Sequence, residues 1–473
     1  MNSPKVSVVI PAYKQAEYLG STIQSVLDQT YTNFEVIVVN DASPDNTTEV
    51  VQQFDDPRLK YIIHECNQML PAARNTGMRA STGEIIALLD ADDLFHPHKL
   101  AVHVAYLVQH PEIGVTYNAR FDVDAKGNPL SLWRPRMSTS LPDFVVGFPF
   151  APSDMVLRRE WAFKIDLFDE SYVVFSEDLD INCRLALAGC QFAGIDQPLN
   201  YRRYHANRVI SNIKGRLDSA IRALNTTFND PRCPAAVKNL RHEAYRNHYL
   251  DWAYCALAQN ETALGQQYLC EAIHNDPALL AHDAVALINF LIVTGVHDGG
   301  DHETALQRIF AQLPPDLAWV ARHSQWAIGQ GYLWRGVKSI LWHHENEGAS
   351  HLARAAQLGT RLDEAFLRSL TDQFISYEAE FGAEATRQVL SSISRHLDQL
   401  GSRTQISWLQ GCYWFNHAFR AYRAGLYTQV PVDVLRAVLN DSSYVANRGI
   451  LRILFHALVP VRRPKLDEYG QLA

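Results

Sequence analysis

The sequence predicts a Rossmann-like α/β domain over residues 1–214, followed by an all-helical region over residues 215–473. Short apolar runs alternate with helically spaced apolar residues as far as about residue 110, a pattern typical of strand–helix–strand units. Beyond about residue 215 strand patterns largely vanish, and helical segments rich in Ala, Leu and aromatic residues are separated by Asn, Asp, Gly and Pro. A chain of 473 residues exceeds the usual size of one domain, and a further division is expected near residues 297–315.

Four strands are predicted in the first domain, at residues 6–10, 34–39, 59–63 and 84–89. The first run ends at Pro11 and leads into a helix predicted from the spacing of Leu19, Ile23, Val26 and Leu27. The last run is followed by Pro97, which suits the first turn of the next helix. This alternation predicts a mixed, mostly parallel sheet.

Regular patterning is lost after about residue 110. The polar segment 118–135 contains the turn signal Lys126-Gly127-Asn128, and a Pro-rich passage covers 142–152, so we expect loops over a site in this part of the chain. A helix is predicted next, with Ser176 as its N-cap and Gly189 just past its end.

The helical region contains one segment with a repeat-like pattern. Residues 249–277 predict two helices around Gln259-Asn260-Glu261, with Ala272 and Pro277 placed as in a tetratricopeptide unit and Gly265 where that unit normally has alanine. A single unit cannot bury its own apolar face, so we expect it to pack on neighbouring helices. We also expect this region to bind a protein partner or a second copy of the chain.

Composition excludes several classes of protein. The formal net charge of −8 argues against a general nucleic-acid binder. The seven cysteines are scattered and never spaced as CxxC, so neither a disulfide framework nor a structural zinc site is predicted. The first residues lack the pattern of a secretory signal, and we expect a cytoplasmic protein.

Two apolar stretches bear on membrane contact. Residues 284–296 are too few to span a bilayer and predict a buried helix. Residues 450–461 are nearly all apolar and are followed by Arg462 and Arg463. Residues 450–463 therefore predict either a helix docked on the core or a peripheral contact with an anionic membrane.

The residues with the clearest chemical pattern are the three carboxylates in Leu88-Leu89-Asp90-Ala91-Asp92-Asp93. Ligands bind at the carboxyl ends of strands in open α/β sheets, and oxygen-only ligation favours Mg²⁺ or Mn²⁺ over zinc. A turn with a helix cap would explain the same residues. Three other residues have more than one interpretation when each is taken alone. Asp41 fits an Asx turn, and Arg74 fits either a solvated side chain or a residue that binds a phosphate. His205 fits either a surface residue or a ligand.

The joint order of several motifs is more specific than each motif alone. Over about residues 5–210 the chain contains VSVVIPAY, VVNDAS, ARNTGMRASTGEIIALLDADD, FDE, SEDLDINCRLALAG and YRRYH. This string resembles a family 2 glycosyltransferase of the GT-A fold. The chain departs from the family pattern at Ala42 and Asp166, where glycine is common.

The resemblance implies a role for each motif residue. It makes Asp41 a hydrogen-bond partner of the nucleotide base, and it directs Arg74 to the base or the diphosphate. Asp178, with Glu177 as its competitor, is implied as the catalytic base. The remaining implied site residues are Pro11, Ala12 and Tyr13 lining the nucleotide pocket, Asp90 holding the ribose, Asp92 ligating the metal, and His205 as a further metal ligand.

The resemblance also implies the reaction. We expect an inverting, non-processive transfer of a sugar from a nucleotide-diphosphate donor, with a UDP-sugar expected, to a hydroxyl of a glycan, lipid-linked or protein acceptor. Mn²⁺ or Mg²⁺ would assist the transfer. The alternative is a catalytically idle domain that binds sugar nucleotides as a scaffold. A nucleotidylyltransferase is disfavoured because Pro11-Ala12-Tyr13-Lys14-Gln15 has no glycine, and a processive synthase because the chain lacks a Gln-x-x-Arg-Trp motif.

Overall fold

The structure, a computed structural model, describes residues 3–147, 149–173, 176–204, 212–297, 300–401 and 403–458. These residues form two compact units. The first consists of residues up to 294 together with 304–321, and the second of residues 295–303 together with those from 322 onward. The predicted boundary after residue 214 separates the sheet from the helices that follow it, and both of these parts lie in the first unit.

Ten strands occur in the described residues, all in one mixed sheet. They are β1 (Val6–Ala12), β2 (Phe34–Asn40), β3 (Leu59–Ile63), β4 (Ile85–Leu88), β5 (Leu94–Phe95), β6 (Ile113–Asp124), β7 (Pro129–Trp133), β8 (Ser138–Thr139), β9 (Met155–Arg158) and β10 (Gln191–Tyr204). The main strand order is β3-β2-β1-β4-β9-β6-β10-β5, with β7 paired to β6 and β8 to β10. The first four strands of that order are mutually parallel, so their carboxyl ends share one edge.

The helices of the first part of the chain cover the sheet and continue beyond it. They are α1 (Ala16–Leu27), α2 (Thr47–Val51), α3 (Leu70–Ala80), α4 (Lys99–Gln109), α5 (Leu141–Val146), α6 (Arg159–Lys164), α7 (Glu177–Leu187), α8 (Ile213–Asn229), α9 (Ala235–Lys238), α10 (Arg241–Ala258), α11 (Thr262–Asn275), α12 (Ala281–His297) and α13 (His302–Ala311). The predicted α/β class is confirmed, and so are all four predicted strands.

The central strands are fully buried because apolar clusters cover both faces of the sheet. Successive residues of a strand point to opposite faces, and β1 contributes Val8 and Ile10 to one cluster and Val9 to the other. The cluster around Val9 also includes residues of α8 to α10: Ala223, Leu224, Phe228, Val237 and Ala244. These helices therefore complete the core of the sheet domain.

The expectation of loops after residue 110 is wrong for much of that segment. Residues 113–124 form the long strand β6, which pairs with β7 across the predicted turn at Lys126-Gly127-Asn128. Gly127 has a φ of 91°, as a left-handed turn position requires. Asn118, Arg120 and Asp122 alternate with apolar residues, which is the period-two pattern of a strand. The expectation of a loop followed from the polar residues of this stretch, but these three side chains are buried.

The remaining helices form the second unit. They are α14 (Ser324–Leu341), α15 (Glu345–Gln357), α16 (Glu364–Leu397), α17 (Arg403–Arg423), α18 (Val430–Asn440) and α19 (Arg448–Leu458). The expected all-helical region is confirmed for the described residues. Residues of α14 to α17 form one apolar cluster, and α17 to α19 form a second.

Helices α10 and α11 confirm the two predicted helices around Gln259-Asn260-Glu261. A Cβ atom at Gly265 would lie 2.5 Å from Cγ of Leu257, so the close approach of the two helices explains the glycine. The tetratricopeptide character of this pair stays a prediction.

One helical stretch, Pro277–Val296, is long and apolar enough to cross a membrane by length and composition alone, with a mean hydropathy of 1.9. It is longer than the 284–296 run considered from the sequence. Leu287, Ile288 and Leu291 of that run are buried, whereas Val285 and Val293 are 44% and 50% exposed, so the predicted buried helix is only partly buried.

Candidate active site

The carboxyl ends of β1, β2 and β4 bring several of the predicted residues to one edge of the sheet. Pro11 and Ala12 end β1, and the backbone N–H of Asp41, just after β2, donates to the Ala12 carbonyl at 3.0 Å. Tyr13 is 40% exposed, whereas Pro11 and Ala12 are buried. Of the three residues predicted to line a nucleotide pocket, only Tyr13 is therefore accessible to a ligand through its side chain.

Asp41 is buried within a small polar network. Its Oδ1 lies 2.7 Å from Nδ1 of His64 and accepts the backbone N–H of Gln68 at 2.8 Å. The other ring nitrogen of His64 lies 2.9 Å from Oγ1 of Thr76 on α3. His64 thus fixes Asp41 in orientation, as a positioning partner that the sequence did not reveal.

Arg74, on α3, joins two parts of the candidate site. Its guanidinium is 1% exposed and donates to Oδ1 of Asp90 at 2.8 Å and to Oε1 of Glu177 at 2.7 Å. Burial alone would lower the pKa of Arg74, but the charges of Asp90 and Glu177 raise it above its ordinary value. The side chain is therefore a permanent cation between the end of β4 and the start of α7.

Helix α7 begins at the predicted place, and Ser176 is its N-cap residue as predicted. The Ser176 carbonyl accepts the backbone N–H of Asp180 at 3.1 Å. The Ser176 hydroxyl makes no capping hydrogen bond, because the residue has a left-handed conformation with a φ of 72° and not the extended conformation that an N-cap serine normally adopts.

Asp178 is a carboxylate whose ionisation the surroundings control. Burial, and then the neighbouring charge of Glu177, raise the pKa of Asp178 to about 7. Its Oδ1 accepts the backbone N–H of Leu179 at 2.8 Å. A helix N-terminus favours an ionised acid. At Asp178 burial and the charge of Glu177 outweigh that effect and favour the protonated form.

The Asp92-Asp93 turn contacts the carboxyl-terminal end of β10. Oδ1 of Asp93 accepts the backbone N–H of Arg203 at 3.1 Å, and the guanidinium of Arg203 donates to the Asp92 carbonyl at 3.4 Å. Burial lowers the pKa of Arg203 against the opposing charges of Asp93 and Asp92. A buried arginine therefore balances the acidic turn.

The position of Asp90 is also stabilised by hydrogen bonds with residues that were not predicted from the sequence. Its backbone N–H donates to Oγ of Ser153 at 3.1 Å, and Nζ of the fully buried Lys99 donates to the Ser153 carbonyl at 3.0 Å. Lys99 also donates to Oδ1 of Asn118 on β6. Burial lowers the pKa of Lys99 to about 7, against the charges of Asp154 and Asp93. A buried polar network thus holds the loop that meets Asp90.

The predicted metal ligands are only partly represented in the structure. His205 lies outside the described residues. Among the residues that the structure does describe, no group of three or more His, Cys, Asp or Glu side chains could hold a metal ion. Asp90 and Asp92 supply carboxylate oxygens, which suit a hard cation only if the substrate and water complete its ligand set.

Both departures from the family pattern fall at positions with left-handed backbone. Ala42 has a φ of 53° and Asp166 a φ of 61°. Glycine adopts this region freely, and aspartate tolerates it better than alanine does. The glycine that the family prefers at both positions is therefore explained by backbone conformation.

Sequence comparisons relate the chain to sugar-transferring enzymes. Residues 7–163 match the sequence model of the family described as glycosyl transferase family 2. An uncharacterized glycosyltransferase of Nostoc sp. is 30% identical over 244 residues, which are 48% of this chain and 75% of that protein. The Escherichia coli UDP-Glc:alpha-D-GlcNAc-diphosphoundecaprenol beta-1,3-glucosyltransferase WfgD is 36% identical over 110 residues, which are 23% of this chain and 44% of that protein.

Solved structures are similar at lower identity. TarS of S. aureus in complex with UDP-GlcNAc is 17% identical with a TM-score of 0.43, and the match covers 71% of this chain and 90% of that one. A mannosyltransferase from Pyrobaculum calidifontis in complex with GDP-Man and Mn²⁺ is 18% identical with a TM-score of 0.44, covering 69% of this chain and 88% of that one.

Proposed function

Because the chain belongs to glycosyl transferase family 2, and is therefore a glycosyltransferase, we propose that it transfers a sugar from a UDP-sugar to an acceptor hydroxyl with inversion and without processivity. Acceptors of three classes fit this reaction: a glycan, a lipid-linked saccharide or a protein. The name of the E. coli relative, a UDP-glucose enzyme that acts on a diphosphoundecaprenol-linked sugar, supports a UDP donor and favours the lipid-linked class.

The observation that carries the proposal is the double ion pair of Arg74. It joins Asp90, at the strand end where a donor nucleotide would lie, to Glu177, beside the candidate base Asp178. Donor binding and proton transfer need groups on opposite sides of the sugar carbon that reacts. One buried guanidinium thus fixes the spacing between residues proposed for these two tasks.

Asp178 is proposed as the general base. The acceptor oxygen attacks the anomeric carbon while its proton passes to the carboxylate of Asp178, and the bond from that carbon to the diphosphate oxygen breaks. The electron pair of that bond leaves with the nucleoside diphosphate. A pKa near 7 suits this task, because a base of that pKa is substantially ionised at neutral pH and still binds the proton effectively.

The nucleotide is assigned to the edge formed by β1, β2 and β4. Asp41 is proposed to accept a hydrogen bond from the base, with Pro11, Ala12 and Tyr13 lining the pocket and Asp90 holding the ribose. The fixed orientation of Asp41 by His64 supports its role, because a recognition carboxylate works best when it is already oriented. Arg74 uses two of its five N–H donors in these ion pairs, and its buried Nε has no hydrogen-bond partner among the described residues, so a donor remains for the base or the diphosphate while both ion pairs stay closed.

A divalent cation, Mn²⁺ or Mg²⁺, fits the oxygen donors of this turn. Asp92 is proposed as its ligand, with His205 as a further one, and diphosphate oxygens would complete the set. When bound, the cation would stabilise the negative charge of the departing diphosphate. The acidic turn itself is held by Arg203, whose backbone N–H binds Asp93 rather than the proposed ligand Asp92.

The helical region from about residue 215 is proposed to recruit the acceptor, a protein partner or a second copy of the chain. No chemistry is assigned to it. A cytoplasmic location, with peripheral contact to the membrane through residues 450–463, belongs to the same proposal and would bring the enzyme to lipid-linked acceptors.

Thermal shift with nucleotide sugars tests the donor site. We expect one UDP-sugar to raise the melting temperature of the full chain with Mn²⁺ present and much less with EDTA. Asp92→Ala should abolish the Mn²⁺-dependent part without unfolding the protein. Asp55→Ala, an exposed aspartate at the amino end of β3, is the matched control and should behave as the wild type.

Two outcomes would contradict the proposal. Unchanged metal-dependent stabilisation in Asp92→Ala would remove Asp92 from the metal site. Binding of a UDP-sugar with no hydrolysis or transfer under any condition would favour the alternative of an idle scaffold that binds sugar nucleotides.

A further inference from the structure

Exposed apolar residues are concentrated near the end of the second unit. Over most of the described chain, exposed large hydrophobic side chains occur singly or in small groups such as Met69 and Leu70, which is ordinary for a protein surface. Between residues 432 and 458 they cluster: Val432, Leu435, Leu439, Val445, Leu451, Phe455 and Leu458. This cluster, which we term the α18–α19 surface, needs an explanation that scattered residues do not.

Helix α19 is apolar on two separate faces. Ile450 and Ile453 are buried in a cluster with residues of α17 and α18. Leu451, Phe455 and Leu458 are 49%, 57% and 62% exposed. At about 100° per residue these three fall within a stripe roughly 60° wide on a different side of the helix. Packing within the unit therefore accounts for one apolar face of α19 and leaves the other exposed.

Helix α18 repeats this arrangement. Val430, Val434 and Ala437 are buried against the neighbouring helices. The exposed members Val432, Leu435 and Leu439 fall within a second stripe, roughly 60° wide by the same helical geometry and on the opposite side. A helix that is apolar nearly all round is normally covered on both sides.

The charge of this segment differs from that of the whole chain. The chain carries a net charge of −8, yet residues 442–466 contain no Asp or Glu and include five basic residues: Arg448, Arg452, Arg462, Arg463 and Lys465. By helical geometry, Arg448 and Arg452 flank the exposed stripe of α19 on one side. The other three basic residues lie outside the described part of the chain, and only their charge is known from the sequence.

We propose that the α18–α19 surface docks on an anionic lipid bilayer. An apolar stripe bordered by arginines and free of acids is the pattern of a helix that lies in the membrane interface, where the stripe enters the acyl boundary and the arginines reach the headgroups. A symmetric contact between two copies through the exposed stripe of α19 would bring Arg448 and Arg452 of one copy near those of the other, and like charges oppose such pairing. The inference rests on the peripheral membrane contact included in the proposed function and deepens it, and it does not depend on the proposed reaction.

Vesicle flotation with the full chain tests the proposal. We expect flotation with phosphatidylcholine vesicles containing phosphatidylglycerol, little with phosphatidylcholine alone, and weaker binding as salt is raised. The double variant Leu451→Ser/Phe455→Ser should reduce the bound fraction at least tenfold. The matched control is Val285→Ser/Val293→Ser, which alters two exposed valines of α12, the helix apolar enough to cross a membrane. This control should float as the wild type does.

A second variant tests the contribution of the arginines to membrane binding separately from that of the apolar side chains. Arg448→Gln/Arg452→Gln should weaken flotation and reduce its dependence on salt, while thermal melting shows that every variant is folded. Absence of flotation of the wild type on anionic vesicles would overturn the proposal. Loss of flotation in the α12 control alone would overturn it too. Conversion of a wild-type dimer to monomer by Leu451→Ser/Phe455→Ser, without any vesicle binding, would assign the surface to a second copy instead.

Discussion

Two adjacent acids, Glu177 and Asp178, differ in environment although both belong to the first turn of α7. Glu177 forms an ion pair with the buried guanidinium of Arg74, whereas Asp178 has no ion pair with the residues that the structure describes and is affected by burial and by the charge of Glu177. The two acids therefore have different tasks in our account. Glu177 positions Arg74 and the start of the helix, and Asp178 accepts the proton.

The pH dependence of turnover tests this division. Since the raised pKa of Asp178 belongs to a group that must be ionised to act, kcat/KM should fall as pH is lowered through about 7. Glu177→Gln removes a negative neighbour, so the pKa of Asp178 falls and the acid limb of the profile moves to lower pH. The measurement is donor turnover between pH 5 and 9. An acid limb that stays in place or moves to higher pH in Glu177→Gln would contradict the coupling.

Ala42 provides a separate test of backbone strain. An alanine with a φ of 53° is strained relative to glycine by about 1 kcal/mol. We expect Ala42→Gly to raise the free energy of unfolding by up to this amount, and Asp166→Gly to give a smaller gain because aspartate tolerates the left-handed region. Chemical denaturation of the two variants measures both values. A loss of stability in Ala42→Gly would show that the conformation carries no such strain.

At the scale of elements, strand β6 contributes buried polar contacts that stabilise the candidate site and that the sequence did not predict. Its buried Asn118 accepts from Lys99 of α4 and lies 2.9 Å from Nε2 of His103, so three polar side chains satisfy one another inside the sheet domain. Lys99 also holds the carbonyl of Ser153, the residue whose hydroxyl meets Asp90. The strand and helix therefore stabilise the loop beneath the candidate site.

Replacing Lys99 by methionine tests this support. Lys99→Met keeps the length and apolar stem but removes the donor to the Ser153 carbonyl and one of the two hydrogen-bonding neighbours of Asn118 Oδ1, the other being Nε2 of His103. We expect a loss of about 1–3 kcal/mol in the free energy of unfolding. Lys126→Met, at an exposed turn, is the control and should be within about 0.5 kcal/mol of the wild type. Equal stability of both variants would show that the network contributes nothing.

The sequence predicted those parts of the site that follow from strand order. Asp41 and Asp90 come directly after apolar runs, and the ends of neighbouring parallel strands share an edge, so their proximity could be expected. The ion pair between Arg74 and Glu177 could not, because 103 residues separate the partners and no local pattern links them. Strand β6 was missed for a related reason: its buried polar residues find partners on distant elements, which a single-strand pattern cannot display.

At the scale of the whole molecule, the helices after residue 214 divide between two roles. Those nearest the sheet complete its core through residues such as Leu224 and Phe228, whereas the second unit has clusters of its own. The helical region is thus not a single appendage. Its first part is structural, and the proposed recruitment of acceptor or partner belongs to the second unit.

Truncation tests this division. A chain ending after residue 214 loses six of the buried residues in the core cluster around Val9, and we expect it to be insoluble or to lack a cooperative melting transition. A chain ending after residue 321 should melt cooperatively, bind the donor and hydrolyse it slowly, yet lose transfer to the native acceptor. Circular dichroism melting and donor hydrolysis provide the comparison. A folded 1–214 chain, or full acceptor transfer by 1–321, would contradict the assignment.

The central claim is that the site transfers a sugar with Asp178 as the base. The most direct measurement is the turnover of the UDP-sugar identified by thermal shift, with wild type, Asp178→Asn and Glu177→Gln compared at saturating donor and Mn²⁺. We predict that Asp178→Asn keeps nearly wild-type donor affinity and loses turnover by about 100-fold or more, with a milder loss in Glu177→Gln. Near wild-type turnover in Asp178→Asn, with an inactive Glu177→Gln, would contradict the claim.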